Sequence, residues 1–226
     1  MAKVAVVLSG CGVYDGSEIH EAVAVLYHLS RAGAAYECFA PDKPQMHVVD
    51  HATGQAAPGQ TRNVLEESAR IARGKIRPLA QLHARDFDCV IFPGGFGAAK
   101  NLCDFAVKGA EMAVDPDAER VVKEFHGSGK PVGMCCIAPV IGAKVLGTRA
   151  GGPGAQVTIG DDAQAAAAIA AWGSKNIVKR VTESQADEAN RLVTAAAYMY
   201  GGAPVHEVFE GIGRMVEGVL SRVGKR

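Results

Sequence analysis

Three short apolar runs, each broken by a sharp turn, limit what this chain can become. Lys3 to Leu8 carries Val4-Ala5-Val6-Val7-Leu8 and ends at Ser9-Gly10-Cys11-Gly12. Asp88 to Phe92 ends at Pro93-Gly94-Gly95-Phe96-Gly97, and Pro131-Val132-Gly133-Met134-Cys135 runs into Cys136-Ile137-Ala138-Pro139. Each run is too short for a helix of its own and apolar on both alternating sides, which is the pattern of a strand covered on both faces of a parallel sheet. Helical periodicity fills the gaps. Ile19, Ala22, Val23, Leu26 and Leu29 recur at helical spacing until Gly33, and Ala34 to Ala40 reads as a second strand closed by Pro41-Asp42. Asp15 and Ser17 are available to cap that helix, Asp15 with Glu18 at the spacing of a capping box. This order builds an α/β fold: a doubly wound, mostly parallel sheet with helices on both faces, flavodoxin-like.

One domain spanning 1–226 is expected, with an insertion at 43–82. The insertion holds a hairpin around Ala52-Thr53-Gly54, a Pro58-Gly59 turn and a helix from Asn63 to Arg73, and it caps one end of the sheet. Helices follow over Asp115–Phe125, from the corner near Pro139 to Leu146, over Asp161–Trp172 and over Val205–Val223, with strands at Val157–Ile159 and Arg191–Ala195. The last helix carries Val208, Ile212, Met215, Val216, Val219 and Leu220 on one side, a stripe that suits either the core or a subunit interface.

Charge excludes some functions. Lys plus Arg and Asp plus Glu number 24 each, so the chain has no general electrostatic grip on nucleic acid or an anionic membrane. No apolar stretch is long enough to span a bilayer, and Met1-Ala2-Lys3 leads straight into strand-like residues without signal-peptide character. Six cysteines without regular spacing read as reduced thiols, so a cytoplasmic location is expected. The seven histidines form no ligand-spaced group, His206-Glu207 lacks a second histidine at zincin spacing, and there is no phosphate loop or Gly-x-Ser-x-Gly elbow. Neither a metal nor a cofactor is expected.

Most cysteines are core packing. Cys38 and Cys89 lie inside strands, Cys103 has no identifiable base, and Cys11 sits in a turn. Cys135 and Cys136 are neighbours that point opposite ways on extended chain, so only one occupies the corner before Pro139. A thiol there meets unpaired backbone N–H groups and the positive end of a helix, and both favour the nucleophilic thiolate. The glycine loop at 93–97 lets main chain approach a ligand and offers an N–H to an oxyanion. Both stretches lie at strand ends, where parallel α/β sheets bind ligands.

Phe92-Pro93-Gly94-Gly95-Phe96-Gly97-Ala98-Ala99-Lys100-Asn101-Leu102 together with Cys136-Ile137-Ala138-Pro139 resembles the paired signatures of the PfpI/ThiJ superfamily, whose fold is related to class I glutamine amidotransferases. Asp15-Gly16-Ser17-Glu18-Ile19-His20-Glu21-Ala22, Cys38-Phe39-Ala40-Pro41-Asp42-Lys43 and Thr61-Arg62-Asn63-Val64-Leu65 are similar to its ElbB branch, and the likeness covers nearly the whole chain. The resemblance implies that Cys136, three places before its proline, is the nucleophile. It implies that Glu21 on the first helix is its acidic partner, with Glu18 as fallback. The helical wheel alone puts Glu21 in solvent. The resemblance further implies Gly95 and Ile137 N–H as oxyanion donors, with Gly94 beside them. Many superfamily members carry histidine after the nucleophile; here it is Ile137, which leaves His20, beside Glu21, as the nearest histidine in the chain.

The activity implied is glutathione-independent glyoxalase chemistry, turning glyoxal or methylglyoxal into glycolate or lactate through a cysteine hemithioacetal. The branch has also been linked to isoprenoid biosynthesis. A Cys136 thiolate with its pKa lowered toward ~6 is the expected reactive form. The alternative is a non-enzymatic redox or stress-responsive protein in which Cys136 is oxidised as a signal. A small dicarbonyl and a second copy of the chain, as a homodimer, are the expected partners.

Overall fold

The structure is a computed structural model, and residues 1–224 are described. In chain order the elements are β1 Lys3–Val7, α1 Ile19–Arg31, β2 Ala35–Ala40, β3 Val49–Asp50, β4 Gln55–Ala56, α2 Val64–Ile71, β5 Ile76–Pro78, β6 Cys89–Phe92, α3 Phe96–Asn101 and α4 Phe105–Lys108. They continue with α5 Pro116–Gly127, β7 Val132–Cys135, α6 Pro139–Val145, β8 Gln156–Val157, α7 Ala163–Ala171, β9 Lys175–Asn176, β10 Ser184–Asp187, β11 Leu192–Ala195 and α8 Val205–Leu220. Seven strands form the main sheet in the order β10-β11-β7-β6-β1-β2-β5, parallel throughout except where β10 pairs with β11. This is the doubly wound, mostly parallel sheet expected.

Each central strand splits its side chains between two cores, which is why the apolar runs are continuous. Val4, Val6 and Leu8 face one core with α1 and α8 residues such as Val25, Leu29, Ile212 and Val216. Ala5 and Val7 face the other, with Phe39, Phe92, Met134, Phe125 and Ile141. A strand with one wet face would alternate apolar and polar residues instead. The stripe on α8 resolves into core: Val208, Ile212, Met215, Val216 and Val219 are buried, and Leu220 is half-buried.

Several local expectations need correction. Neither Asp15 nor Ser17 caps α1. Glu18 is the cap, its Oε2 accepting from Glu21 N–H at 2.7 Å, because Asp15 is taken by Val49 N–H at 2.7 Å and Ser17 by Ser9 N–H at 2.9 Å. The 43–82 region contains the hairpin β3–β4 and α2 capped by Asn63, but it does more than cover a sheet end. Ile76–Pro78 joins the sheet as its edge strand beside β2. A three-residue edge strand is too short to announce itself in the apolar pattern. Val157 pairs outside the main sheet, in the small ladder β8–β9, and the polar strand β10 was not expected at all.

Candidate active site

β7 ends at Cys135, which is fully buried, and the next residue turns the chain. Cys136 has φ +57°, in the left-handed region. A residue with a Cβ avoids that region at a cost of about 1–2 kcal/mol. Its N–H is tied to Ala195 O at 2.9 Å, which locks the corner to the neighbouring strand. Pro139 then opens α6 in its first turn, where a missing N–H is harmless. The strained corner therefore belongs to Cys136, and Cys135 is the packed last strand residue.

Glu21 is wholly buried on α1 and aims at this corner. One carboxylate oxygen, Oε1, accepts from Tyr198 N–H at 3.1 Å. The other, Oε2, lies within electrostatic reach of the Cys136 thiol and Gly94 N–H but closes no hydrogen bond. A Cβ added to Gly94 would sit 2.4 Å from Cys136 Cβ and 2.6 Å from Glu21 Oε2, so only glycine lets main chain pass so close to both groups. Gly95 has φ +94° and is hemmed in by Glu18 N and Gly16 O. Among the described residues, neither Gly95 N–H nor Ile137 N–H donates to a protein acceptor.

The electrostatics reverse one expectation. Burial pushes the Cys136 thiol well above its ordinary value, and the Glu21 charge pushes the same way, opposed by the N–H of Gly95. Burial, then the charge of Glu18, pushes the Glu21 carboxyl up to about 8, against the Tyr198 N–H and the nearby Cys136 thiol and Gly94 N–H. Two acids that share one dry site suppress each other's ionisation. The pair therefore rests largely protonated at neutral pH, and the expected free thiolate near ~6 does not stand. Desolvation outweighs the corner's amide groups.

A pocket of about 430 Å³ opens onto Cys136. Gly95, Ile137 and Glu18 line it too, so these three predicted residues meet at Cys136. Gly94 and Glu21 stand behind it. His20 is exposed and outside the pocket lining, with Nδ1 3.1 Å from Tyr198 Oη and 3.8 Å from Glu18 Oε1. Sequence reasoning missed Tyr198, whose backbone holds Glu21 and whose ring lines the pocket, and also Met199, Asp162 and Gln164. Ala196-Ala197-Tyr198-Met199 carries no motif; only its position just past a buried strand could have pointed to it. A groove of about 650 Å³ lies between α1 and α8 around Tyr27, His28 and Phe209 and contains no part of this site. All six cysteines are free thiols, and the described residues contain no cluster of metal-ligating side chains.

No protein-family model matches the chain. It is 55% identical over 99% of its length, and 84% of the relative's, to the human glutamine amidotransferase-like class 1 domain-containing protein 3, mitochondrial. It is 54% identical to the rat ES1 protein homolog, mitochondrial, over 99% of this chain and 85% of that one. Among solved structures it is similar to an isoprenoid biosynthesis protein with amidotransferase-like domain from Ehrlichia chaffeensis, at TM-score 0.90, 35% identity and coverage of 98% and 99%. Drosophila melanogaster DJ-1beta shares the fold at TM-score 0.53, 18% identity and coverage of 98% and 96%. The cytoplasmic expectation is overturned: the human and rat relatives are both named mitochondrial, and reduced cysteines with a neutral charge do not separate the two compartments.

Proposed function

The chain belongs to the ES1 family of glutamine amidotransferase-like class 1 domain proteins, and from that premise we propose that it is a cysteine-dependent, glyoxalase-type enzyme acting on small dicarbonyls. The observation that carries the reading is an open pocket ending on Cys136, with a buried acid behind the sulfur and two free N–H groups beside it. With Glu21 at about 8, roughly a tenth of it is ionised at pH 7, and that fraction is the base. Cys136 sulfur adds to the aldehyde carbon of methylglyoxal, and the thiol proton passes to Glu21. The carbonyl electron pair moves to oxygen, where Gly95 and Ile137 N–H groups hold it. Glu21 returns that proton to the oxygen, which completes the neutral hemithioacetal. The freed carboxylate then carries the C–H proton to the neighbouring carbonyl carbon by way of an enediol, while the hydroxyl proton passes to the neighbouring oxygen, which leaves a lactoyl thioester. Water releases lactate and restores the thiol. Glyoxal gives glycolate by the same steps. In the redox-sensor alternative the Cys136 thiolate attacks peroxide; the buried Glu21 carboxyl behind the sulfur and the space before it, with room for a dicarbonyl, favour the enzymatic reading instead.

Lactate release from methylglyoxal, compared between wild type and Cys136→Ser, tests the reading. Release by the wild type and none above background in the variant is expected. Equal rates overturn it.

A further inference from the structure

The pocket is much larger than the dicarbonyl it is asked to hold. Glyoxal has four heavy atoms and fills about the space of two or three waters, roughly 100 Å³ at ~30 Å³ each. The pocket of about 430 Å³ falls in the range of sites that enclose far larger ligands. Its walls divide by chemistry. The apolar part is formed by Phe96, Phe105, Ala106, Ile137 and Met199. The charged groups on the lining are Glu18 and Asp162, both acidic, and no lysine, arginine or histidine lines it. Lys100, the nearest cation along the glycine loop, stays outside the lining, its ammonium donating to Tyr14 O at 2.8 Å and standing 5.5 Å from the Phe96 ring centroid. A carboxylate or phosphate entering here would lose its hydration and meet two like charges with no cation to offset them.

We propose that the physiological substrate is an uncharged carbonyl compound with an apolar tail of several carbons, and that Glu18 and Asp162 exclude anionic carbonyls. The inference deepens the glyoxalase-type reading and rests on it only for the reacting end. Sulfur adds to the terminal aldehyde carbon as above, the thiol proton ending on the carbonyl oxygen by way of Glu21, while the tail lies along Phe96, Phe105 and Met199. Each buried methylene is expected to tighten binding about fourfold.

The test uses the full chain and separates binding from chemistry. Octanamide, acetamide and octanoate are titrated in a thermal-shift assay on wild type, Ala106→Phe and Asp162→Asn. Ala106 is on the exposed part of the wall, so a larger side chain narrows the tail space without entering the core. Asn keeps the cap that Asp162 makes on Ala165 N–H while removing its charge. Octanamide is expected to raise Tm at concentrations at least ~tenfold below acetamide. The effect should be lost in Ala106→Phe, with octanoate weaker than octanamide on wild type and closer to it on Asp162→Asn. Octanoate matching octanamide on wild type, acetamide matching octanamide, or an unchanged response in Ala106→Phe each overturns the proposal. Turnover of 2-oxooctanal against methylglyoxal is then measured on wild type. Higher kcat/KM for the longer aldehyde is expected, and equal or lower kcat/KM overturns the tail assignment. Octanamide binding with no turnover of either aldehyde sinks the enzymatic reading and leaves the pocket's ligand class standing.

Discussion

Two turns at the same edge of the sheet receive opposite treatment. After β1, the chain pairs most of its polar groups, buried Asp15 Oδ1 being an exception. Ser9 N–H donates to Ser17 Oγ, Gly10 N–H to Ser68 Oγ at 2.8 Å, and Asn101 Nδ2 spans the carbonyls of Ser9 and Asp15 at 2.8 and 3.0 Å. Around the turn after β7, Gly95 N–H from the loop after β6, Ile137 N–H and Glu21 Oε2 from α1 lack closed partners, and Cys136 is held in a left-handed conformation. Both turns sit where a parallel sheet collects ligands, and both carry a cysteine. Position alone therefore does not make a site. What distinguishes the second turn is a left-handed cysteine on which several unclosed polar groups converge beside an open pocket, where buried polar groups are otherwise mostly paired.

The sharpest way to break this contrast is to exchange the two thiols' fates. Cys136→Ser is expected to lower lactate formation from methylglyoxal by at least ~100-fold, with Cys11→Ser staying within about twofold. Comparable losses in the two variants would mean that the β1 turn takes part in the chemistry. Next in size is Glu21→Gln, expected to reduce turnover by about 10²-fold or more. Its pH signature follows from the raised carboxyl. The native state holds a proton between the unfolded value of 4.5 and about 8 that the unfolded chain has released. Glu21 therefore contributes stability that is full below pH 4.5 and lost as pH rises through about 8, on the order of several kcal/mol. Denaturant midpoints of wild type should fall relative to Glu21→Gln across that window, and parallel curves would show the carboxyl to be ordinary.

Smaller effects test the backbone and the satisfied turn. Gly94→Ala is expected to cost about 2–3 kcal/mol, because its Cβ has to displace Cys136, Glu21 and Cys135 O. Ser17→Ala should cost about 1–3 kcal/mol by leaving buried Ser9 N–H without its acceptor, with lactate formation per folded molecule unchanged. A matched loss of rate would merge the two turns into one site. Last, iodoacetamide labelling of Cys136 should be slow at pH 6 and quicken toward pH 9, as a raised thiol demands.

The architecture was readable because burial on both faces leaves an unmistakable mark: Val4 to Leu8 and Cys89 to Phe92 are apolar at every position. Short or polar strands leave none, so β5 and β10 went unseen. The corner was half readable. Periodicity showed that one of two adjacent cysteines turns away from the strand, but choosing Cys136 took the resemblance. Glu21 shows the limit of the helical wheel. Ile19 and Val23, placed on the apolar stripe, are substantially exposed, while the glutamate between them is sealed inside. Periodicity assumes that a charged residue seeks water, and that assumption fails where a carboxyl is kept dry beside a thiol. Tyr198 acts through its backbone N–H, which every residue but proline possesses, so side-chain chemistry held no clue to it.

Gly94 stands against both Cys136 and Glu21 with main chain alone, so the gap between sulfur and acid is gauged by the position of β6. Substitutions in either core can repack without resetting that gap. A slide of β6 along its neighbours would widen or close it at once. The protein's tolerance to change should therefore be steeply uneven: generous among the side chains of its interior, and scant wherever a replacement shifts the rail on which this one glycine rides.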